Sequence, residues 1–496
     1  MTMIQQLLIK LVLAPLNSLM NRFPDKVRDL FFLTGGIGIV VHNFMRNMGL
    51  VNYRFLVFFA VNCVFLGLMI LGGMGQQIKP VRFHKFLAIC WFGIGLLMLQ
   101  SGIQHNVDYL PEAVLFLVAY PVLFLCWANG DRTRIFRLLL VLCRIAAILF
   151  SLGSFVLAPI APKQYAGMFT NTNMASYFLA VVYAGLTIHI LYSRLHWKLL
   201  PDILLLGIVA ALNYYSNSRT GTLGMICAVS AGLVCYGLTH KWTDILKCLP
   251  KIAACAAATV VCISSLVFVF QLRVYLPLPY LDQTTGTLYF VTLPGHETVP
   301  TDPVATDPVA TDPVATEPSA TDPAVTEPLA TEPSETDSPT SPTFFDTSGF
   351  NELNDKKTSH DDKTLDQYST GRLSIWKAYA SKLNLFGHDS TEPIYVDLLY
   401  KEIRTTHMTI LQVAYESGIF AGILYLLFNI GTGILSIRYA LKRPAEPYAV
   451  MPLMFTLVFG VLSLLGSCGV SFWYMVTFYY YVVQFPIMAK PVEETN

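Results

Sequence analysis

Few residues in this chain combine a reactive type with a telling placement. Arg372 stands in Ser369-Thr370-Gly371-Arg372, four residues before Trp376, and Arg219 stands in Ser218-Arg219-Thr220-Gly221. His407 immediately precedes a long apolar run, and Glu416 lies within that run. A guanidinium is planar, permanently charged and forks onto two oxygens at once, so these arginines suit a phosphate-bearing ligand. Imidazole titrates near neutral pH, so His407 suits taking a proton from an attacking hydroxyl. Asn173, Lys377 and Glu416 are candidates for holding the substrate, because a carboxylate among apolar residues is either paired or functional. Each also has a plainer role: a histidine in an interfacial helix cap, a snorkelling or rim arginine, an asparagine N-cap.

The elements that must position these residues can be read from periodicity. Leu373, Trp376, Ala380 and Leu383 fall on one face of an amphipathic helix, with Arg372, Lys377 and Lys382 elsewhere. Asn384-Leu385-Phe386-Gly387 stops that helix. A polar connection then leads to His407, at the lip of a run long enough to cross a membrane.

Composition sets the frame. The chain has 496 residues, 54% of them hydrophobic and only 13% charged, with a formal net charge of +1. Its mean hydropathy is +0.53. This is an integral membrane protein, and nothing points to nucleic acid as a partner. All 10 cysteines fall in or beside apolar segments, with no C-x-x-C spacing, so neither a disulfide framework nor a cysteine metal site is expected. The basic N-terminal stretch reads as an amphipathic lead-in to the first span and not as a signal peptide.

Apolar runs at 29–47, 53–76, 84–103, 109–128, 134–158, 172–192, 198–215, 220–239, 250–272, 408–437, 447–466 and 470–489 make about twelve helices that can cross the hydrocarbon. The expected fold is an all-α polytopic membrane protein. Residues 1–272 form one membrane part, 273–407 a large loop between the ninth and tenth helices, and 408–496 a second membrane part. Lysine and arginine crowd alternate connections, such as those around Lys79, Arg132, Lys198, Lys247 and Lys442. The positive-inside bias then puts both termini in the cytoplasm and the large loop outside, in a multi-pass cell-membrane protein. Asn173, Arg219, Arg372 and His407 all fall on the external face, and Glu416 about two turns inside the tenth span. Within the loop, short amphipathic helices are expected around 369–407. Residues 301–340 repeat a five-residue acidic Thr/Pro unit that has no apolar face to pack, so the expectation there is a disordered, extended spacer. In polyproline II geometry it reaches on the order of 100 Å.

The sequence T/S-G-R-x-x-x-W, then L-F-G, then H-x10-G-I-F-A-G closely resembles the loop signature of the O-antigen ligase/polymerase family. Gly167-x-Phe169-x-Asn171-x-Asn173-x-Ala175 and Ser218-Arg219-Thr220-Gly221 also match its pattern. The likeness is tight over 369–425 and loose over the rest of the membrane part. It implies an inverting glycosyltransferase that needs no metal or cofactor, acting on the outer face of the membrane. The donor is a lipid-linked oligosaccharide on a polyprenyl diphosphate, held by Arg372 and Arg219. His407 is the base for the hydroxyl of a glycan, lipid or protein acceptor. Ligase and polymerase remain alternatives. His388 and Asp389 depart from the family's small residues after L-F-G, and their readings are a solvated pair, an acceptor contact or a metal site. Rival functions are a flippase for the same lipid and a non-catalytic envelope sensor. The topology predicts that cysteines introduced at Ala310, His360 and Ser390 react with impermeant reagents in intact cells while those at Thr133, Thr243 and Lys442 do not; the reverse pattern ends this reading.

Overall fold

The computed structural model describes residues 2–50, 55–107, 109–158, 165–169, 171–240, 242–272, 279–282, 287–290, 371–396, 401–446, 448–469 and 474–491. The repeat at 301–340, with Ser369, Thr370 and Trp473, lies outside the described residues. The chain is mostly helical. In order come α1 (Thr2–Leu8), α2 (Ala14–Met20), α3 (Asp25–Asn47), α4 (Phe55–Gly73), β1 (Val81–Phe83), α5 (Lys85–Gln104), α6 (Tyr109–Val114), α7 (Tyr120–Ala128) and α8 (Arg132–Leu157). Then come α9 (Thr172–Tyr192), α10 (Leu200–Ser216), α11 (Arg219–Thr239), α12 (Leu249–Leu272), β2 (Pro279–Asp282) and β3 (Thr287–Phe290). Later in the chain follow α13 (Arg372–Ser381), β4 (Ile394–Val396), β5 (Lys401–Ile403), α14 (Thr409–Ser417), α15 (Ile419–Lys442), α16 (Met451–Leu465), α17 (Met475–Met488) and β6 (Ala489–Pro491). Turns of π-helix join α1 to α2 and α6 to α7.

Among the described residues, nine helices are long and apolar enough to cross a membrane. A helix also coincides with each run picked from the sequence. Three of those are short, at Val57–Gly73, Met451–Leu465 and Met475–Met488, and α3 is too polar to be among the nine. The glycines that interrupt α3 are packing residues: a Cβ on Gly35 would overlap the Phe65 carbonyl of α4. The stretch Met3–Met20, read as a lead-in, is one of the nine. Two of its polar residues, Gln5 and Asn17, turn inward. Gln5 accepts from the Val81 amide at 3.2 Å, and Asn17 and Asn21 donate to the Gln76 carbonyl at 2.8 and 2.7 Å. Met3, Ile4, Leu7 and Leu11 point outward and are exposed. The stretch therefore runs along the connection between α4 and α5, with its apolar side free for lipid.

The core centres on α17, whose residues from Met475 to Met488 are all buried. Trp91 stacks on Phe116 at 4.4 Å and packs edge-on against Tyr120 and Tyr481, so the last helix is held by rings from α5, the α6–α7 region and α15. The tyrosines 479–481 are packing residues, at 0–1% exposure. At the start of α10, the buried carboxylate of Asp202 pairs with Arg144 of α8 at 2.7 Å and with His189 of α9 at 3.5 Å, a cluster that sequence reading passed over.

The loop differs from expectation in three ways. Its described part holds one helix and two antiparallel strand pairs, β2–β3 and β4–β5. The buried face of α13 is Ile375 and Tyr379, while Leu373 and Ala380 are exposed. Ile375 and Tyr379 pack with Ile394, Val396 and Tyr415 into a small second core, because the strand pair covers the side of α13 that faces the bundle. The third difference concerns 408–437, which is not one span. It breaks at Gly418, whose φ of +91° no other residue type adopts comfortably. Thr409 donates to the Gly466 carbonyl just past the end of α16, and the Glu416 carbonyl accepts from Ser101 near the end of α5. So α14 lies across the ends of the bundle, and Glu416 sits at the rim instead of two turns inside.

Two glycines make this break possible. Gly387, at φ +87°, brings its backbone against the Glu416 carbonyl, and Gly418 brings its own against the Leu385 carbonyl. A Cβ at either would overlap those oxygens. Asn384 closes the clasp: its side chain accepts from the Phe386 and Gly387 amides, and its carbonyl accepts from Ile419 at 2.9 Å. Gly418→Ala is therefore expected to destabilise the protein by at least about 2 kcal/mol, read as a lower thermal midpoint in detergent; an unchanged midpoint would show that the break does not depend on the clasp.

Candidate functional site

Three turns meet at the end of the bundle that α14 crosses. The first joins α10 to α11. Asn217 takes a left-handed conformation (φ 53°), and Ser218 then caps α11, accepting from the Gly221 amide at 3.4 Å. The Ser218 hydroxyl donates to Asn173 Oδ1 at 3.1 Å. Asn173 is thus not the cap of α9, a role held by Asn171. It fastens the start of α9 to the start of α11. Gly221 leaves room for Ser176 and Asn213, which bond to each other directly beneath it.

The second turn begins α13. Arg372 reaches the Thr220 hydroxyl with both terminal nitrogens, at 3.5 and 3.4 Å. That brings the Thr-Gly-Arg and Ser-Arg-Thr-Gly motifs together, although about 150 residues separate them in the chain. Arg219 is the first residue of α11, next to Thr220, and it is exposed. Among the described residues, neither Arg219 nor Arg372 has an Asp or Glu within ion-pair distance. Two cations and the positive end of a 21-residue helix meet there without a carboxylate among the described residues. Lys377 is exposed and lies about 140° around α13 from Arg372. The structure does not bring it to this group.

The third turn carries His407. Its backbone is left-handed, at φ 54°, which costs a non-glycine residue on the order of 1 kcal/mol. Neighbours hold it there. The Trp376 indole donates to the Thr406 carbonyl at 3.0 Å, and the Thr406 amide donates to Gln412 Oε1 at 2.8 Å. Gln412 donates in turn to Glu416 at 2.6 Å, and Glu416 also takes the Tyr109 hydroxyl. Thr406 is fully buried. The tryptophan four residues after Arg372 thus locks the histidine turn against the helix that carries the arginine. The imidazole is half-buried and has no hydrogen-bond partner among the described residues. Burial, and then the charge of Arg372, hold its pKa below the ordinary 6.5. At neutral pH it is the free base, able to accept a proton.

His388 and Asp389 do not join the group. The His388 ring stacks on Tyr415 at 4.5 Å and bonds the Lys382 carbonyl, and Asp389 accepts from the Thr391 amide and hydroxyl. Among the described residues no three His, Cys, Asp or Glu side chains cluster as a metal site. Sequence reading missed Thr220, Gln412 and Tyr109. Thr220 lies inside a motif already noticed, and Gln412 stands one turn before Glu416, a spacing that puts the two side chains together. Tyr109 had no local signal.

Compared with family models, curated proteins and solved structures, the chain matches none. The likeness to O-antigen ligases therefore stands on the motif residues and on what they do in this fold.

Two outcomes follow from the geometry. In NMR of histidine-labelled protein, His407 should titrate below pH 6.5, and Arg372→Gln should move the titration upward, since a cation that opposes protonation is gone. Trp376→Phe should remove one buried hydrogen bond, worth about 1 kcal/mol, and raise the mobility of the His407 ring. An unmoved titration in Arg372→Gln would separate the two residues in space.

Proposed function

We propose that this chain is a membrane glycosyltransferase of the O-antigen ligase/polymerase type. In this reading its twelve helices cross the cell membrane with both termini in the cytoplasm, and the His407 end faces outward. The donor is a glycan on a polyprenyl diphosphate and the acceptor is a hydroxyl of a glycan, lipid or protein. The observation that carries the reading is a half-buried imidazole in a left-handed turn, its pKa held down by burial and by the charge of Arg372, an arginine that pairs with no carboxylate among the described residues.

The chemistry runs as follows. Arg372, with Thr220 and Arg219 beside it, binds the diphosphate at the membrane rim, where bidentate contacts orient it. His407 takes the proton of the acceptor hydroxyl as its oxygen bonds to the anomeric carbon. The bond from that carbon to the diphosphate breaks, and the leaving diphosphate keeps the electron pair against the guanidinium charges. Attack opposite the leaving group inverts the anomeric centre. The reading needs no metal or cofactor, because the donor is already activated. Asn173 and Glu416 act at one remove, by holding Ser218 and Gln412.

The Arg144–Asp202–His189 cluster favours a second reading, transport of the same lipid, because buried charge in a span often marks a pathway. The two readings part in a null strain: an enzyme leaves lipid-linked glycan on the outer leaflet, a flippase on the inner.

The mechanism is tested by transfer from purified lipid-linked oligosaccharide with chelator present. His407→Ala should lower the rate by about 10²–10⁴ while donor binding survives. Arg372→Ala and Arg219→Ala should weaken donor binding as well, and Arg372→Lys should restore little, because a point charge does not replace a fork. Full activity of His407→Ala, or complete loss with chelator, would overturn the assignment.

A further inference from the structure

At the end of the bundle opposite His407, α9, α10, α11 and α12 border a crevice of about 380 Å³. The course of α9 fixes its place: Asn173 at the start bonds Ser218, beside the Arg372 contact, while Leu191, on the crevice, lies about 27 Å further along. The crevice forms because α12 carries the small run Ala253-Ala254-Cys255-Ala256-Ala257-Ala258. This helix closes on α10 at Gly207, where a Cβ would overlap the Ala258 carbonyl, but Cys255 and Ala256 leave space beside them. Ile190, Leu206, Val229, Ile252 and Val260 give the space apolar walls. Ala256 and Val260 are exposed, so it opens to the outside of the bundle, where lipid stands in a membrane protein.

The charged member of the wall is Lys251, at 7% exposure. Its ammonium donates to the Leu191 and Ser193 carbonyls at 2.7 and 2.6 Å, closing the end of α9. An ammonium has three donors, so one remains. Carbonyls satisfy hydrogen bonds without cancelling a charge, and no Asp or Glu among the described residues lies within ion-pair distance of Lys251. More positive charge stands alongside. Arg194 follows Ser193 directly, Lys198 comes soon after, both are exposed, and the connection 193–199 holds no acid. Between them Trp197 is 80% exposed, and Leu195 also points outward. Apolar side chains turned out among cations match the headgroup level of a bilayer. From that level the crevice runs inward: Lys251 and Val260 lie about 14 Å apart along α12. One leaflet of hydrocarbon is about 15 Å deep.

We propose that this crevice binds an anionic phospholipid, with one acyl chain beside α12 and the phosphate on Lys251, Arg194 and Lys198. Charge selects the headgroup. A basic pocket between helices near a leaflet surface attracts a phosphate diester, whereas a choline headgroup brings its own cation to the same place. The depth of the crevice selects a single chain from a single leaflet. On the topology proposed above, this end of the bundle faces the cytoplasm and the lipid comes from the inner leaflet. The ligand is neither donor nor acceptor, since Arg372 and His407 stand at the other end. Its chain supports α12, little of which is buried against the rest of the protein.

The test uses full-length protein purified in detergent and stripped of lipid, with native mass spectrometry as the readout. The probes are dioleoyl phosphatidylglycerol and dioleoyl phosphatidylcholine, which share their chains and differ in headgroup charge. Phosphatidylglycerol should fill one site with at least tenfold higher affinity than phosphatidylcholine. Ala256→Phe, which fills the crevice, should lower that affinity tenfold or more. Lys251→Met, and separately Arg194→Gln combined with Lys198→Gln, should bring the two lipids within threefold of each other. The double variant alters exposed residues only, so it decides the matter if Lys251→Met or Ala256→Phe loses its elution profile or thermal midpoint. Equal affinity of both lipids for the unaltered protein overturns the proposal and leaves Lys251 as a cap of α9. So does binding that persists in a folded Ala256→Phe, or a preference that survives the double variant. Labelling of a cysteine at Thr243 from outside the cell would instead sink the topology and the inner-leaflet assignment while leaving binding in detergent as it is, so the two failures are distinct.

Discussion

Everything at the functional end of this molecule depends on two backbones crossing where no side chain fits. The Asn384–Gly387 turn and the Glu416–Gly418 break press together, each glycine occupying the space beside the other segment's carbonyl. The contact converts what would be one long helix into α14 and α15. Because α14 lies across the bundle, its first turn can bond the end of α16 and its last can bond α5. His407 then stands at the start of a short crosspiece fixed at both ends. A straight helix would have carried Glu416 into the apolar interior, where an ionisable group is costly. The bend leaves it at the rim, among hydroxyl and amide partners.

Much of this was legible in the sequence. The apolar runs, the motifs and the isolation of charge at one set of connections all came from composition and spacing, which are local properties. The break at Gly418 was not legible, since glycine within an apolar run more often marks close helix packing, as Gly35 does in α3. The orientation of α13 was misread for a related reason. Its apolar residues fit two faces, and only the strand pair β4–β5 decides that Ile375 and Tyr379 go inside. Gln412 escaped notice because its importance comes from joining Glu416 to the Thr406 amide, and Tyr109 because it reaches Glu416 from a distant part of the chain. The cluster around Asp202 was missed because its members come from three different helices and no local pattern joins them.

The motif glycines, the tryptophan and the arginines play separable roles. Gly221 lets Ser176 and Asn213 reach the first turn of α11, and Ser218 orders that turn. Trp376 transmits the position of α13 to the backbone beside His407 through one hydrogen bond. Arg372 acts on the imidazole through its charge and on Thr220 through its nitrogens. Variants of Trp376 and Arg372 therefore report chiefly on the orientation of the histidine turn and on its acidity, respectively. That separation is uncommon in sites where one residue serves several ends.

The second small core bears on how this loop has been free to change. Ile375, Tyr379, Ile394, Val396 and Tyr415 lie within a stretch of about forty residues, all on the C-terminal side of the acidic repeat. The site is built from that stretch and from the bundle. Chain inserted ahead of it enters the energetics as a longer closing loop, and doubling such a loop costs only about 0.6 kcal/mol of closure entropy. Pentapeptide units can therefore be gained or lost by slippage at almost no penalty to the site. The length of the chain ahead of residue 371 is thereby decoupled from the geometry of the crosspiece and its histidine.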